Sequence, residues 1–507
     1  MDILLLKSFL PEIFLSISTL VILVFNAIII TDIRYNFPLL NKEIFSQLTF
    51  ILLLVALLVY NSQIEGIFFN SLFCNDYSTK SMKFILIFIL LFSLPSIHRS
   101  FTFQDLSFYE FFIIILIILF SSMLLISACD FLSAYIVIEI QALSFYVLAG
   151  FKRDSSFSAE AGLKYFIFGS FISGILLFGC SLLYLALGTL NFQSISLLMY
   201  MPITGVFLNL NYLIFIGVFF IVCTFLFKLA AFPFHFWAPD VYEGSPLSTA
   251  IVFALLPKIS LICFFIKFLL LFNTQCEFIK IILLVSGTCS IAWGTFLAIQ
   301  QKRLKKLFIY SSIAQIGFLA VSLSLGTLNG FISTYFFLLI YLITSLVQWS
   351  IISLLYFFQY NIYSFNSTPI KALFFSNLSG WFVKAPIWTM VLIILVFSIA
   401  GIPPFSGFWA KFFILNGMID ANLIVVPLLI VLISAVSVYY YLRIIKTSIF
   451  EKNFYFKGRE QSIFLSSLSF TENIIILTSL YILIYTFFYP SFLLLWCQKI
   501  VLSSQFF

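Results

Sequence analysis

Four ionisable side chains occupy places from which a bilayer should exclude them. Glu139, Lys228, Lys258 and Lys411 each fall inside an apolar stretch long enough, or nearly so, to cross a membrane. A charged side chain at the bilayer centre costs roughly 2.5 to 3.5 kcal/mol on insertion scales, so the four together weigh on the order of 10 kcal/mol against the fold unless they are paired or hydrated. Carboxylates and amines of this kind can also hold and release protons, and burial tunes how tightly they do so. A chain that keeps them uses them, and the chemistry they offer is charge transfer through a membrane.

Their neighbours sharpen the reading. Glu139 sits in IVIEIQALSFYVLAG (Ile136 to Gly150), where Gln141 and Ser144 are the nearest polar side chains. A lone buried carboxylate takes up a proton unless a cation lies nearby; the plainer alternative is a packing carboxyl satisfied by Gln or Ser. Lys228 ends its apolar run just before FPFHFWAPDVYEG (Phe232 to Gly244). Pro233 removes a backbone donor and clashes with the preceding turn, so the helix must break or kink just after the lysine. Such breaks are tolerated at membrane depth only inside protein or around a cavity; the alternative is a lysine snorkelling to the interface. His235, in the same break, titrates near neutrality and is a candidate relay, or else merely satisfies freed carbonyls. Asp240 and Glu243 read as caps of the next helix start.

The proline device recurs. In ALLPKIS (Ala254 to Ser260), Pro257 precedes Lys258 and is expected to loosen the helix there. In AGIPPFSGFWAKF (Ala400 to Phe412), Gly401, Pro403, Pro404 and Gly407 interrupt the helix before Lys411. Interrupted apolar segments in both halves of a chain point to inverted-repeat transporters. Pro233, Phe234 and Phe236 to Ala238 echo Pro404, Phe405 and Phe408 to Ala410, although the lysine precedes the echo in one half and follows it in the other.

The elements that must position these residues are membrane helices. With 63% hydrophobic and 9% charged residues over 507 positions, the chain has too little polar surface for a soluble globule. Apolar windows place fourteen spans at roughly 9–31, 44–61, 80–97, 109–128, 131–151, 161–187, 211–231, 248–272, 278–299, 306–328, 330–358, 386–419, 422–448 and 468–496. They lack period-2 alternation, so the expected class is an all-α polytopic bundle.

Loops after odd-numbered spans hold Arg34, Lys42, Arg99, Lys152, Arg153, Lys302, Arg303, Lys305, Lys306, Lys371, Lys384, Arg443, Lys446, Lys452, Lys457 and Arg459. The opposite side holds only Lys7, Lys80, Lys83, Lys280 and Lys499. This asymmetry places both termini on the outer, electropositive side. The net charge of +7 is thus spread over short loops on one face and calls for no nucleic-acid partner. The eight cysteines (Cys74, Cys129, Cys180, Cys223, Cys263, Cys276, Cys289, Cys497) show no CxxC spacing and read as small apolar packing residues, with no metal, haem or iron–sulfur site indicated. The N-terminus, with Asp2 and Glu12, has neither signal-peptide nor transit-peptide layout. Sixty-nine phenylalanines fit AT-rich coding, as in an organelle or an AT-rich bacterium.

Four segments carry a family resemblance: AEAGLKYFIFG (Ala159 to Gly169), FPFHFWAPDVYEGSP (Phe232 to Pro246), YSSIAQIGF (Tyr310 to Phe318) and AGIPP (Ala400 to Pro404), with PEIF at Pro11 to Phe14 extending the match to the N-terminus. Together they resemble the NADH dehydrogenase subunit 2 family of respiratory complex I, in its long fourteen-helix plant and protist form, and its bacterial counterpart, subunit N. The resemblance implies three N-terminal helices (1–105), two inverted five-helix repeats (106–275 and 276–450) with helices 7 and 12 broken, and a last helix (451–507). It implies that Glu139 pairs with Lys228, that Lys258 is the central lysine and that Lys411 is the lysine of helix 12. It also implies no cofactor on this chain, with FMN, iron–sulfur clusters and ubiquinone in other subunits, and partners among membrane-arm subunits, sister antiporter-like subunits and lipids. The place would be the mitochondrial inner membrane or a bacterial plasma membrane. Gln315 stands where the family usually has histidine and cannot take up a proton near neutrality, so a step there must run through water. Asn377 replaces a frequent aspartate in a loop. The expected mechanism is proton relay through Lys228 and Lys258, tuned by Glu139 and handed on by Lys411. The competing readings are a stand-alone cation/proton antiporter and a membrane-arm spacer that does not pump.

Overall fold

The computed structural model describes residues 7–31, 39–62, 65–104, 109–152, 154–200, 208–272, 277–363, 373–451 and 470–504. Arg34, Arg153, Cys276, Lys371, Lys452, Lys457 and Arg459 lie outside the described residues, as do the expected repeat boundaries near 105 and 275.

The elements run α1 (Leu10–Thr31), α2 (Leu39–Asn61), β1 (Gly66–Phe68), β2 (Phe73–Asn75), α3 (Tyr77–Gln104), α4 (Glu110–Ser127), α5 (Phe131–Ala149), α6 (Ser156–Leu187) and α7 (Phe192–Tyr200). They continue with α8 (Leu208–Leu229), α9 (Trp237–Gly244), α10 (Leu247–Phe272), α11 (Glu277–Gln300), α12 (Leu304–Ser324) and α13 (Leu328–Tyr363). The last are α14 (Trp381–Lys384), α15 (Pro386–Ala400), α16 (Ser406–Asp420), α17 (Val425–Ile449), α18 (Phe470–Phe488) and α19 (Pro490–Ser503). The chain is a multi-pass membrane protein of the all-α class, and β1 and β2 form one short antiparallel hairpin.

Thirteen described helices are long and apolar enough to cross a bilayer, against the fourteen windows expected. The difference is the window 386–419, which is not one helix: Gly401 takes a left-handed φ of +83° and turn residues through Pro403 and Pro404 interrupt it, leaving α15 and α16 at 15 residues each. The window 468–496 is also divided, because Pro490 cannot donate to the preceding turn and starts α19 afresh. α10 and α13 form the centre: 94% of each apolar window is buried, against 28% for α17.

Two expectations about polar residues are corrected here. Arg99 is not in a loop: α3 continues through His98 and Arg99 to Gln104, Phe45 meets the His98 ring at 4.9 Å, and buried Arg99 pairs with Glu472 of α18. Lys83 likewise lies within α3, buried, ion-paired with Glu12 at 2.6 Å and donating to Asn75 Oδ1 at 3.0 Å. Cys74, expected as inert packing, accepts from Lys267 Nζ at 3.1 Å, and the same ammonium donates to the Ile126 carbonyl at 2.6 Å, closing the end of α4. Burial alone would raise the Cys74 thiol, but Cys129 and Lys267 bring it down to about 6.

Candidate functional site

The site begins at the end of α8. Ala230 adopts a left-handed φ of +61°, its N–H returns to the Phe227 carbonyl at 2.9 Å, and the Ala231 N–H returns to Leu226 at 2.8 Å, so the helix closes on itself two residues after Lys228. Trp237 Nε1 also donates to Phe227 at 3.1 Å and packs its ring on Tyr165 at 4.8 Å, holding the break in place. Lys228 therefore stands in the last turn of a helix, where backbone carbonyls favour a cation.

Lys228 faces a cavity of about 30 Å³ that it shares with Gln141, Tyr165, Trp237, Lys258 and Ser312. That is room for roughly two waters, and the polar groups needed to hold them are present. Gln141 Nε2 donates to Ser260 Oγ at 3.4 Å, tying α5 to α10 across this space. Glu139 lies two residues before Gln141 on α5, and its buried Oε1 has no hydrogen-bond partner among the described residues. Among the described residues it makes no direct ion pair with Lys228.

Lys258 is not placed by a break. α10 runs without interruption through Pro257, a correction to the loosened helix expected there. Proline lacks the N–H that would bond Phe253, and Tyr242 supplies the missing donor, its hydroxyl reaching the Phe253 carbonyl at 3.0 Å. Among the described residues, no carboxylate pairs with buried Lys258. Its ammonium donates to the hydroxyl of Tyr341 on α13 and lies 4.5 Å from that ring's centroid.

Tyr341 opens onto a second cavity of about 20 Å³, lined also by Gln315, Thr344, Ser398, Gly407 and Lys411. Here the second break supplies the cation. α15 ends at Ala400, and its freed terminal carbonyls are taken by two side chains: Lys411 Nζ donates to Ala400 at 2.7 Å and Gln315 Nε2 to Ile399 at 3.4 Å. Gly401 is required twice, by its left-handed φ and because a Cβ would meet Lys411 Cδ at 2.8 Å. Lys411 also sits 5.2 Å from the Phe318 ring centroid.

Of the residues singled out in the sequence, Lys228 and Lys258 share one cavity, and Gln315 and Lys411 share the other. His235 joins neither. It is buried among Phe232, Phe236 and Trp293, with ring centroids at 5.7, 4.2 and 6.4 Å. Burial pushes its imidazole below the ordinary value; the Pro233 carbonyl opposes this, yet neither ring nitrogen reaches hydrogen-bonding geometry. Asp240 and Glu243, expected as caps of the next helix start, instead lie inside α9, and the first N–H of α10, at Leu247, donates to Gln104. Asp240 meets Lys164 of α6 at 3.1 Å, and Glu243 meets Arg303 and Lys306 beside α12 at 2.5 and 2.8 Å, so α9 pins the break to both halves. Sequence reasoning passed over Tyr341, whose only signal is a hydroxyl in mid-span, and Lys267, a further lysine nine residues after Lys258 on the same helix.

The chain matches the family model described as NADH:quinone oxidoreductase/Mrp antiporter, TM, over residues 128–437. It is 31% identical to NADH-ubiquinone oxidoreductase chain 2 of Marchantia polymorpha over 502 residues, 97% of each chain. To NADH-quinone oxidoreductase subunit N of Pelagibacter ubique it is 33% identical over 474 residues, covering 92% of this chain and 95% of that one. Its fold is similar to a chain in the respiratory complex I of Thermus thermophilus (TM-score 0.75, 21% identity, 96% and 98% covered). It is also similar to a chain in the Mrp complex of a Dietzia species (TM-score 0.78, 15% identity, 99% and 98% covered). Matched over more than half its length by the family model and over nearly its whole length by these relatives, the chain belongs to the NADH-ubiquinone oxidoreductase chain 2/subunit N family of antiporter-like membrane proteins.

Proposed function

We propose that this chain is a proton-translocating membrane-arm subunit of an NADH:ubiquinone oxidoreductase, complex I, moving protons along Glu139, Lys228, Lys258, Tyr341 and Lys411 while quinone is reduced in other subunits. The observation that carries the reading is the sequence of buried groups itself: a cation at each broken helix, a central lysine between them, and two water-sized cavities, one lined by Lys228 and Lys258 and the other by Tyr341 and Lys411, bridged by the Lys258–Tyr341 hydrogen bond. Lys228 and Lys258 face one cavity, so a proton can pass between them through water. Tyr341 accepts from Lys258 on one side and lines the Lys411 cavity on the other, so its hydroxyl is the step between halves. Glu139 sets the direction: opposite charge within about 4 to 6 Å favours the charged lysine, and protonating or displacing Glu139 releases Lys228's proton.

In this reading Gln315 orients water where the family usually has histidine, and His235 has no part in the relay. The two inverted repeats meet at α10 and α13. The chain carries no redox centre, with FMN, iron–sulfur clusters and ubiquinone in neighbouring subunits. Its partners are the other membrane-arm subunits, including sister antiporter-like ones, and lipids. It lies in the mitochondrial inner membrane, or a bacterial plasma membrane, with both termini on the outer side. On this axis a single carboxylate among three lysines disfavours a Na⁺ or K⁺ site, which needs oxygen ligands.

The test is fractionation of gently solubilised membranes by size. Co-migration of this chain with NADH-oxidising activity in a very large assembly is expected; migration in a smaller complex without that activity would overturn the reading in favour of a separate antiporter.

A further inference from the structure

The largest of the cavities described above and here is apolar and lies away from the charged axis. It has a volume of about 340 Å³, more than ten times that of the Lys228 cavity, and lies between α3, α13, α18 and α19. Its floor is Leu339, Leu342 and Leu346 of α13, all buried; its wall is Phe84, Phe88 and Phe92 of α3, which are partly exposed or exposed. The crevice is thus closed behind and open along one side. Its polar lining reduces to Ser479, whose hydroxyl is already spent on the Ile476 carbonyl at 2.8 Å, and to Trp496. Water needs two to four polar partners to occupy a cavity, and here it would find none along the floor.

The mouth differs in character. Trp496 Nε1 donates to the Tyr77 hydroxyl at 3.1 Å, at the N-terminal end of α3. Tryptophan and tyrosine gather at the headgroup level of a membrane. Lys499, exposed and one turn beyond Trp496, and Lys80, one turn beyond Tyr77 and 3.6 Å from exposed Glu65, flank this pair. From Phe84 to Phe92 the wall extends about 12 Å at ~1.5 Å per residue. A slot that begins beside an amphipathic rim with lysines and continues inward as hydrocarbon has the polarity profile of a phospholipid.

We propose that this crevice is a phospholipid site, one acyl chain lying in the slot between α3 and α13 and the phosphate at the Tyr77–Trp496 rim near Lys499. The lipid fills a void that side chains of this fold leave open, and so joins α3, the last of the three N-terminal helices, to the central helix α13.

The test uses the intact complex in vesicles containing phosphatidylglycerol with a photoactivatable diazirine at mid-chain. Cross-linked peptides are mapped by mass spectrometry. Labelling of Phe88, Leu342 and Leu346 is expected to exceed, several-fold, that of Phe166, Ile167 and Phe171, which are simply exposed on α6. Ile343→Phe or Ile482→Phe, each filling the slot from a partly exposed position, should remove the excess while the α6 signal persists. Equal labelling of crevice and α6 overturns the proposal. So does preferential labelling by a photoactivatable ubiquinone analogue, or a cross-link from the crevice to another polypeptide.

Discussion

The two helix breaks reach one electrostatic end by opposite routes. In the first, Lys228 belongs to the helix that ends, and it stands in that helix's last turn. In the second, Lys411 belongs to the helix that begins, and reaches back to the Ala400 carbonyl at the end of α15 at 2.7 Å. Each puts an ammonium at the negative end of a helix dipole, which lowers the cost of a charge at membrane depth. The order of lysine and proline, reversed between the halves, is therefore immaterial to what the break accomplishes. The difference lies in restraint. Lys411 is tied to a carbonyl and to the Phe318 ring, whereas Lys228 faces water-sized space. In the proposed relay, the first break is the one that changes its charge state and the second the one that receives the charge.

That contrast orders the expected effects of substitution. Lys228→Met should lower coupled NADH:quinone activity about 10-fold or more, toward the range contributed by a positioned proton-transfer group, with the complex still assembled on native gels. Glu139→Gln removes the partner but leaves the lysine, so a several-fold loss is expected in the same assay; equal losses for the two variants would mean that Glu139 is itself a carrier. Tyr341→Phe keeps the ring under Lys258 and deletes the hydroxyl that accepts from Lys258, on a residue that lines the Lys411 cavity. A several-fold fall in proton transfer with unchanged assembly is expected, and wild-type transfer would remove Tyr341 from the path.

Gly401→Ala probes the second break by another route. A left-handed φ and the close Lys411 side chain together make it destabilising by about 1 to 3 kcal/mol, read as a lower melting temperature of the isolated complex. The smallest effect is expected for Gln315→His. It restores a titratable side chain beside Tyr441 and Lys411, and turnover should change less than for any variant above.

Much of this was legible in the residues because insertion energetics is local. A proline after Lys228 and glycines and prolines before Lys411 must interrupt a helix whatever surrounds them, and a buried ion must be accommodated somewhere. What the sequence could not carry was tertiary compensation. Pro257 was expected to loosen α10, but the Tyr242 hydroxyl takes over the Phe253 carbonyl and the helix stays whole. The Lys258–Tyr341 contact joins residues 83 positions apart, and no local pattern marks Tyr341. His235 drew attention as one of two histidines, yet which face of the break it occupies depends on Phe232, Phe236 and Trp293. The divided last span was readable from Pro490, since a proline seldom continues a helix.

The central claim is that protons cross between the halves through Lys258 and Tyr341. It is tested most directly by the proton-to-electron ratio of the complex in sealed vesicles, comparing wild type with Lys258→Met while NADH oxidation is followed in parallel. The account predicts that the variant loses proton uptake and coupled turnover together, with the complex intact. A wild-type ratio at wild-type turnover would contradict it.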